Sequence, residues 1–172
     1  MVKVGEKAPD FNLEAYHAGK VRKFSLRDFK GKWVVLFFYP RDFTFVCPTE
    51  IRGFAKREAE FMKANAAIVG ASTDSVHSHR AWFERDMKEV KFPILADTAH
   101  HLSRDYGVLI ENSGEALRGT FIIDPDGILQ YMVISNLNVG RSVEETYRVL
   151  KACQTGGLCP IEWHPGEKPL KV

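Results

Sequence analysis

The sequence lacks any hydrophobic stretch long enough to cross a bilayer, and neither sign of charge dominates it. Its longest strongly apolar run, WVVLFFY at positions 33–39, is far shorter than the roughly 20 residues that a membrane-spanning helix needs. Lys and Arg number 24 against 22 Asp and Glu, and these charges are scattered. The composition therefore gives no support for a membrane or nucleic-acid partner. The first residues, MVKVGEKAPDF, lack an apolar segment and a cleavage-like site, so we expect no secretory signal and a cytoplasmic location.

Motifs that bind cofactors are missing as well. No glycine-rich phosphate loop occurs, so the sequence predicts no nucleotide site. The histidine pairs His77 and His79, and His100 and His101, have no cysteine or carboxylate spacing that completes a metal site, and we interpret them as solvated side chains. We therefore predict neither a metal nor a bound organic cofactor. A Cys-x-x-Cys pair is also absent, which argues against thioredoxin-type disulfide exchange as the main activity.

The first half of the chain has the pattern of a β–α–β unit. With 172 residues, of which 45% are hydrophobic, the chain can form one domain with a substantial core. The first thirty residues predict an irregular or short-stranded lead-in with a single helical turn at SLRDFKG. The run WVVLFFYP then predicts a strand buried on both faces, apolar spacing from Pro48 onward predicts a helix, and AAIVGAS at 66–72 predicts a second buried strand. Asp74 or Ser75 caps the next helix.

The second half has the pattern of a β–β–α unit. The strands GTFIID and ILQYMVI flank Asp124-Pro125-Asp126-Gly127, which is a hairpin signal. Ser142 and Glu145 predict a capping box at the start of the last helix. The complete order predicts an α/β protein of thioredoxin-like fold, with a central mixed sheet flanked by helices. We assign residues 1–154 to the domain and 155–172 to a C-terminal tail rich in Gly and Pro.

Cys47 lies between a buried strand and the start of a helix. Pro48 suits the first helical position, which places Cys47 at the cap or in the first turn. Unpaired N–H groups and the helix dipole favour an anion there, and thiols in such places can ionise well below the ~8.5 of free cysteine. On position alone, a buried and inert cysteine is an equally good interpretation.

The residues before Cys47 favour a reactive thiol. The hydroxyl of Thr44 can bind a small oxygen-bearing substrate, and Pro40 can stiffen the turn and shield the thiol from water. Together they spell Pro-x-x-x-Thr-x-x-Cys. This pattern, within FTFVCPTEI, resembles the active-site motif of the typical two-cysteine peroxiredoxins, a group that includes bacterial alkyl hydroperoxide reductase. The resemblance extends over nearly the whole chain, with further similar segments at 8–11, 24–40, 72–75, 95–98, 117–127 and 139–146.

The resemblance implies roles for residues that the pattern alone does not single out. It implies a thioredoxin-like fold and a second active-site residue, Arg118, which by itself is more simply interpreted as a solvated arginine at a strand end. Glu50, in the first turn of the predicted helix, either orients Arg118 or a backbone group, or only complements the helix dipole. Cys159, in GGLCPIEWHPGEKP, resembles the resolving cysteine. Cys153 matches no catalytic position of the family, and we expect it to pack as a small apolar residue.

The reaction that the resemblance implies is a thiol-dependent peroxidase cycle. The Cys47 thiolate attacks a hydroperoxide and becomes a sulfenic acid, while Thr44 binds the peroxide and Arg118 stabilises the developing charge. Cys159 from the second subunit of a homodimer then forms a disulfide, which a dithiol donor, thioredoxin or a dedicated flavoprotein reductase, reopens. Such dimers commonly assemble into decamers. A holdase chaperone and a thioredoxin-like disulfide exchanger are the alternatives.

Overall fold

The computed structural model describes residues 2–171 and contains one seven-stranded mixed sheet flanked by helices. The strands, in chain order, are β1 (Asn12–His17), β2 (Lys20–Ser25), β3 (Trp33–Phe38), β4 (Ala66–Ser72), β5 (Ile94–Ala96), β6 (Leu109–Ile110), β7 (Glu115–Ala116), β8 (Arg118–Ile123) and β9 (Leu129–Ser135). The helices are α1 (Cys47–Lys63), α2 (Val76–Asp86), α3 (His101–Asp105) and α4 (Val143–Thr155), and a 3-10 turn covers Leu26–Phe29. The spatial strand order is β2-β1-β5-β4-β3-β8-β9, while β6 and β7 form a separate pair.

The centre of the sheet confirms the predicted β–α–β and β–β–α units. Strand β3 pairs in parallel with β4, to which α1 connects it, and antiparallel with β8. Val35 and Phe37 of β3 face one apolar cluster, and Val34 and Leu36 face the other. Because β3 is buried on both faces, its sequence is a continuous apolar run and not an alternating one.

The N-terminal part is more regular than the sequence predicts. Strands β1 and β2 form a six-residue antiparallel hairpin, and β1 joins the main sheet by pairing with β5. Four of the six β2 residues are exposed, so this edge strand shows no apolar alternation. Its backbone pairing with β1 stabilises it, and single-sequence patterning does not detect that interaction.

The helix starts agree with the predicted caps in part. The Ser75 hydroxyl accepts from the Ser78 N–H at 3.2 Å, and the Ser142 hydroxyl accepts from the Glu145 N–H at 3.0 Å. The Glu145 carboxylate does not close the predicted capping box, because it pairs with Arg148 at 2.6 Å instead. At α1, Val46 is the cap and Cys47 the first helical residue, so Cys47 lies in the first turn as predicted, and Pro48 occupies the second helical position instead of the first.

Beyond α4 the chain forms an irregular tail. Gly156 ends α4 with a φ of 65°, a left-handed conformation that glycine adopts without strain. As far as Lys171, the tail contains one isolated antiparallel bridge, between Leu158 and Leu170. No helix within residues 2–171 is both long enough and apolar enough to cross a membrane.

Candidate active site

Cys47 is a free thiol at the N-terminus of the 17-residue helix α1. Its side chain is 1% exposed and belongs to the apolar cluster on the α1 side of the sheet. Pro48 has no N–H and the Thr49 N–H donates to the Val46 carbonyl at 3.0 Å, so the first turn acts on the sulfur through the positive end of the helix dipole. Negative charge on the sulfur is therefore favoured by the helix that carries it.

Arg118 brings a second source of positive charge to this sulfur. It is the first residue of β8 and is buried, and its Nη1 donates to Cys47 Sγ at 3.4 Å. Its Nε donates to the Leu137 carbonyl at 2.8 Å, which fixes the plane of the guanidinium. The interpretation of Arg118 as a solvated strand-end residue is therefore wrong. A guanidinium that donates to sulfur in a buried place stabilises a thiolate more than it does in water.

Glu50 holds Arg118 in this orientation. It lies one turn after Cys47 on α1 and is buried, and its Oε2 accepts from Arg118 Nη1 at 2.6 Å. Its Oε1 accepts from the backbone N–H of Arg141 at 2.9 Å and from Arg141 Nε at 3.0 Å. Of the two interpretations of Glu50, the structure supports the one in which it orients Arg118. One carboxylate thus balances two buried guanidinium groups.

Arg141 is a member of this network that the sequence analysis did not single out. Its Nη1 donates to the Gly119 carbonyl at 2.8 Å and to the Thr120 hydroxyl at 3.1 Å, and its Nη2 donates to the Phe38 carbonyl. Burial lowers the pKa of Arg141, while the charge of Glu50 opposes that shift. Arg141 joins the ends of β3, β8 and α1, and the sequence signals for it are its position directly before the Ser142 cap and its place in the segment 139–146 that resembles the family.

The loop between β3 and α1 carries the other two predicted residues. Pro40 is buried directly after β3. Thr44 is half-buried, and its hydroxyl donates to the Arg41 carbonyl at 3.0 Å within the same loop. The motif therefore places both residues in the segment that ends at the thiol, and the structure gives no hydrogen bond between Thr44 and Cys47.

A buried polar cluster fixes the start of this loop. The Asp42 carboxylate lies 2.7 Å from the Tyr39 hydroxyl, 2.8 Å from the Ser78 hydroxyl and 2.8 Å from His79 Nδ1. His79 is fully buried, and its Nε2 lies 3.1 Å from the Leu95 carbonyl oxygen. The interpretation of His79 as solvated is therefore wrong. The Asp42 carboxylate and the Leu95 carbonyl are its hydrogen-bonding partners in place of water. No group of three or more His, Cys, Asp or Glu residues within 2–171 is placed to bind a metal.

The other two cysteines lie together at the end of α4. Cys159 is a free, half-buried thiol whose Sγ lies 3.4 Å from the Thr155 hydroxyl and 3.8 Å from the Ala152 carbonyl oxygen. Cys153 is half-buried and packs against the same apolar cluster as Cys47, as expected of a small apolar residue. Burial raises the pKa of Cys153, and the charge of Cys159 adds to that shift. The structure thus places Arg118 next to Cys47, whereas Cys159 contacts the end of α4 in the same chain.

Known proteins resemble this chain over nearly its whole length. The profile of the AhpC/TSA family matches residues 4–132. YkuU, a putative peroxiredoxin of Bacillus subtilis, is 54% identical over 97% of this chain and 97% of its own length. A thioredoxin peroxidase of Echinococcus granulosus is 49% identical over 98% of this chain and 92% of its own length. The reduced 2-Cys peroxiredoxin of Plasmodium vivax superposes with a TM-score of 0.95 at 36% identity, covering 99% of this chain and 94% of that one.

The thioredoxin-like fold and these similarities define a thiol-dependent peroxidase, an enzyme that reduces peroxides with electrons from a thiol reductant. The chain belongs to the AhpC/TSA family of peroxiredoxins. The predicted family, fold class and enzyme class are thereby confirmed.

Proposed function

We propose that Cys47 is the peroxidatic cysteine of this enzyme. The observation that carries the proposal is the 3.4 Å contact between Cys47 Sγ and Arg118 Nη1, at the N-terminus of α1. Two sources of positive charge act on one sulfur, and Glu50 keeps the guanidinium in place. A thiolate, and not a thiol, is the nucleophile in this chemistry.

In the proposed first step, the Cys47 thiolate attacks the terminal oxygen of hydrogen peroxide or an alkyl hydroperoxide. The S–O bond forms as the O–O bond breaks, and the leaving oxygen takes a proton and departs as water or an alcohol. Arg118 stabilises the charge that moves onto the leaving oxygen. Thr44 binds the peroxide once its hydroxyl turns from the Arg41 carbonyl, and Pro40 keeps water from the thiol.

In the proposed second step, Cys159 from a second copy of the chain acts as the resolving cysteine. Its thiol attacks the Cys47 sulfenic acid, an S–S bond forms, and the hydroxyl of the sulfenic acid leaves as water. Within one chain, Cys159 contacts the end of α4 and not Cys47, which supports a partner from another subunit. In this proposal the domain of residues 1–154 supplies one thiol and the tail of residues 155–172 the other.

Replacing Cys159 with serine is expected to allow one turnover per subunit and to remove sustained turnover with a dithiol donor. The variant forms the sulfenic acid but lacks the thiol that converts it to a disulfide. Steady-state peroxide consumption with thioredoxin, together with a non-reducing gel after peroxide treatment, measures both effects. Cys153→Ser is the control and keeps wild-type turnover. A disulfide-linked dimer in Cys159→Ser would instead assign the resolving role to Cys153.

We propose that the homodimer forms through the free edge of β9. This strand pairs only with β8 among the described residues, and it exposes Met132, Val133 and Ile134 in succession. The opposite edge strand, β2, exposes three cationic side chains, Lys20, Arg22 and Lys23. Charged edge strands resist pairing, whereas an apolar edge favours it, so a second copy adds at β9.

We propose that five such dimers form a decamer through the loop before Cys47. Phe45 is 94% exposed and Phe43 is 49% exposed. Phe43 also packs against the buried Trp82 and lies beneath the Arg85 guanidinium, which fixes this loop against α2. Large exposed aromatic side chains next to each other are typical of an interaction surface.

Sedimentation velocity distinguishes the two interfaces. Val133→Lys, which places charge on the β9 edge, is expected to reduce the assembly to monomers. Phe45→Ser is expected to stop at dimers, because only the second surface changes. Val21→Lys, on the already charged β2 edge, is the control and sediments as wild type. Dimers that persist in Val133→Lys would exclude the β9 edge as the primary interface.

We propose thioredoxin or a dedicated flavoprotein reductase as the electron donor, and the cytoplasm as the location. The similarity to a protein named thioredoxin peroxidase supports a dithiol donor of the thioredoxin class. Donor attack on the disulfide regenerates both thiols without a further oxidant or cofactor.

A further inference from the structure

The tail beyond α4 folds as a closed loop of its own. The Leu170 N–H donates to the Leu158 carbonyl at 2.8 Å, which joins its two ends, and the Trp163 N–H donates to the Pro160 carbonyl at 3.2 Å inside it. We call residues 158–170 the tail loop. The loop contains the proposed resolving thiol, so any displacement of the loop moves that thiol as well.

Trp163 anchors the tail loop to the rest of the protein. Its side chain is 2% exposed, whereas Ile161 two residues earlier is 90% exposed. Trp163 belongs to neither of the two apolar clusters of the domain. Its carbonyl oxygen accepts from Arg148 Nη1 at 3.0 Å. Within residues 2–171, this is the only hydrogen bond between nitrogen and oxygen that joins the tail loop to the residues before it.

Glu145 determines the direction in which Arg148 donates. Arg148 Nε lies 2.6 Å from Glu145 Oε2 and Nη2 lies 2.7 Å from Oε1, a bidentate pair. Hydrogen bonding to Glu145 raises the pKa of Arg148, which favours the charged guanidinium further. Because two of its nitrogen atoms are fixed, the third is presented to the Trp163 carbonyl in one orientation. The ion pair between Arg148 and Glu145 adds little to stability by itself, but it orients Arg148 Nη1 toward the tail loop.

Cys159 has to leave its observed position before it can form a disulfide. Its sulfur contacts the Ala152 carbonyl and the Thr155 hydroxyl, while Cys47 is buried beneath Arg118. A disulfide requires the two sulfur atoms to approach to about 2.05 Å. Departure of the tail loop from α4 is therefore a step that precedes the second half of the cycle.

We propose that Arg148 is a positioning residue that fastens the tail loop and so sets the rate at which Cys159 becomes available to the sulfenic acid of the partner subunit. This inference rests on the proposed resolving role of Cys159. It adds no redox step, because the S–S bond that forms and the water that leaves are those of the condensation already described. Arg148 acts on the rate through its hydrogen bond to the Trp163 carbonyl. It contacts neither the peroxide that reacts with Cys47 nor the sulfenic acid that reacts with Cys159.

The first test measures loop opening without any peroxide chemistry. In a Cys47→Ser, Cys153→Ser background Cys159 is the only thiol, and its labelling by a chromogenic disulfide reagent reports how often the tail loop opens. Arg148→Met keeps the aliphatic stem and removes the donors, and we expect labelling to become about 3- to 10-fold faster, the effect of one lost charge-assisted hydrogen bond at a partly exposed site. Arg148→Lys restores part of the difference. Arg80→Met removes a comparable exposed ion pair on α2, with Glu84, and leaves the rate unchanged.

The second test uses the otherwise wild-type enzyme in rapid mixing with peroxide. We expect Arg148→Met to leave the peroxide-dependent phase unchanged and to accelerate disulfide formation by the same factor as the labelling. Unchanged labelling, or faster labelling without faster disulfide formation, overturns the role of Arg148. Neither result affects the proposed function as long as Cys159→Ser fails to form the disulfide. A disulfide in Cys159→Ser removes the resolving role itself, and the inference with it.

Discussion

Serine in place of Cys47 is expected to abolish peroxide reduction, with the second-order rate constant falling by more than about a thousandfold. The hydroxyl is not ionised at neutral pH, so neither the N-terminus of α1 nor Arg118 has a nucleophile to stabilise. The replacement changes one atom in a buried place, so α1 and the sheet are retained. Peroxide loss in the first turnover, followed without any reductant, measures the chemical step alone.

Cys153→Ser is the matched control for this experiment. Cys47 belongs to an apolar cluster and Cys153 packs against the same cluster, so both variants place a hydroxyl beside apolar side chains. No guanidinium donates to Cys153 among the described residues, and burial raises the pKa of its thiol. The control is therefore expected to keep the wild-type rate. Wild-type peroxide consumption by Cys47→Ser would contradict the proposed mechanism at its first step.

The sequence is sufficient to predict the central part of the fold because that part is buried. Strand β3 is apolar along its whole length and β4 as far as Ala71, since each is covered on both faces by side chains of the two clusters. Helix α1 is amphipathic because its buried residues, including Ile51, Phe54 and Phe61, recur at helical spacing. Burial on both faces leaves a continuous apolar run and burial on one helix face leaves a periodic one, and the predicted central elements have one or the other of these patterns.

The same reasoning explains why the sequence predicts an irregular or short-stranded lead-in and not the regular β1–β2 hairpin. Strand β2 pairs along its whole length with β1, yet most of its side chains contact solvent. Its stability comes from backbone hydrogen bonds to β1 and from the pairing of β1 with β5 in the main sheet. Neither interaction selects particular side chains, so neither is visible in a single sequence.

The residues of the candidate site likewise fall into those that the sequence predicts and those that it does not. The residues of the Pro-x-x-x-Thr-x-x-Cys pattern are adjacent in sequence, and Arg118 follows from the family resemblance. Arg141 and His79 are missed because charged and polar residues are interpreted as surface unless a partner is known. Their partners, Glu50 and Asp42, are 91 and 37 residues away in the chain. Only the folded structure shows that these pairs are buried.

These distant pairs position the residues of the motif. Asp42 fixes the start of the reactive loop against α2, and Glu50 fixes Arg118 against Cys47. The local sequence thus determines the position of the nucleophile, Cys47. Tertiary contacts determine the position of the positive charge that acts on it, that of Arg118. Substitutions at the supporting carboxylates should therefore affect folding and activity together.

Glu50→Gln is expected to lower the free energy of unfolding by about 3 kcal/mol or more, because it removes the carboxylate that two buried guanidinium groups share. Glu50 accepts from Arg118 at 2.6 Å and from Arg141 at 3.0 Å, and all three side chains are at most 5% exposed. The amide oxygen still accepts on one side of the side chain, for example from both Arg141 donors, but the NH2 group on the other side repels the donor that it faces. Chemical denaturation of the reduced protein at a fixed concentration measures the loss. Peroxide reduction also slows, since Arg118 is no longer oriented toward Cys47.

Glu60→Gln on the same helix separates this effect from a general loss of charge. Glu60 pairs with Arg57 at 2.7 Å, but water reaches both side chains, so the freed arginine is hydrated. We expect no measurable change in stability or peroxidase rate for this variant. A Glu50→Gln protein as stable as wild type would mean that the carbonyl groups around Arg141 compensate its charge without Glu50. The stabilisation of Arg118, and with it that of the Cys47 thiolate, would then depend on the backbone and not on the carboxylate.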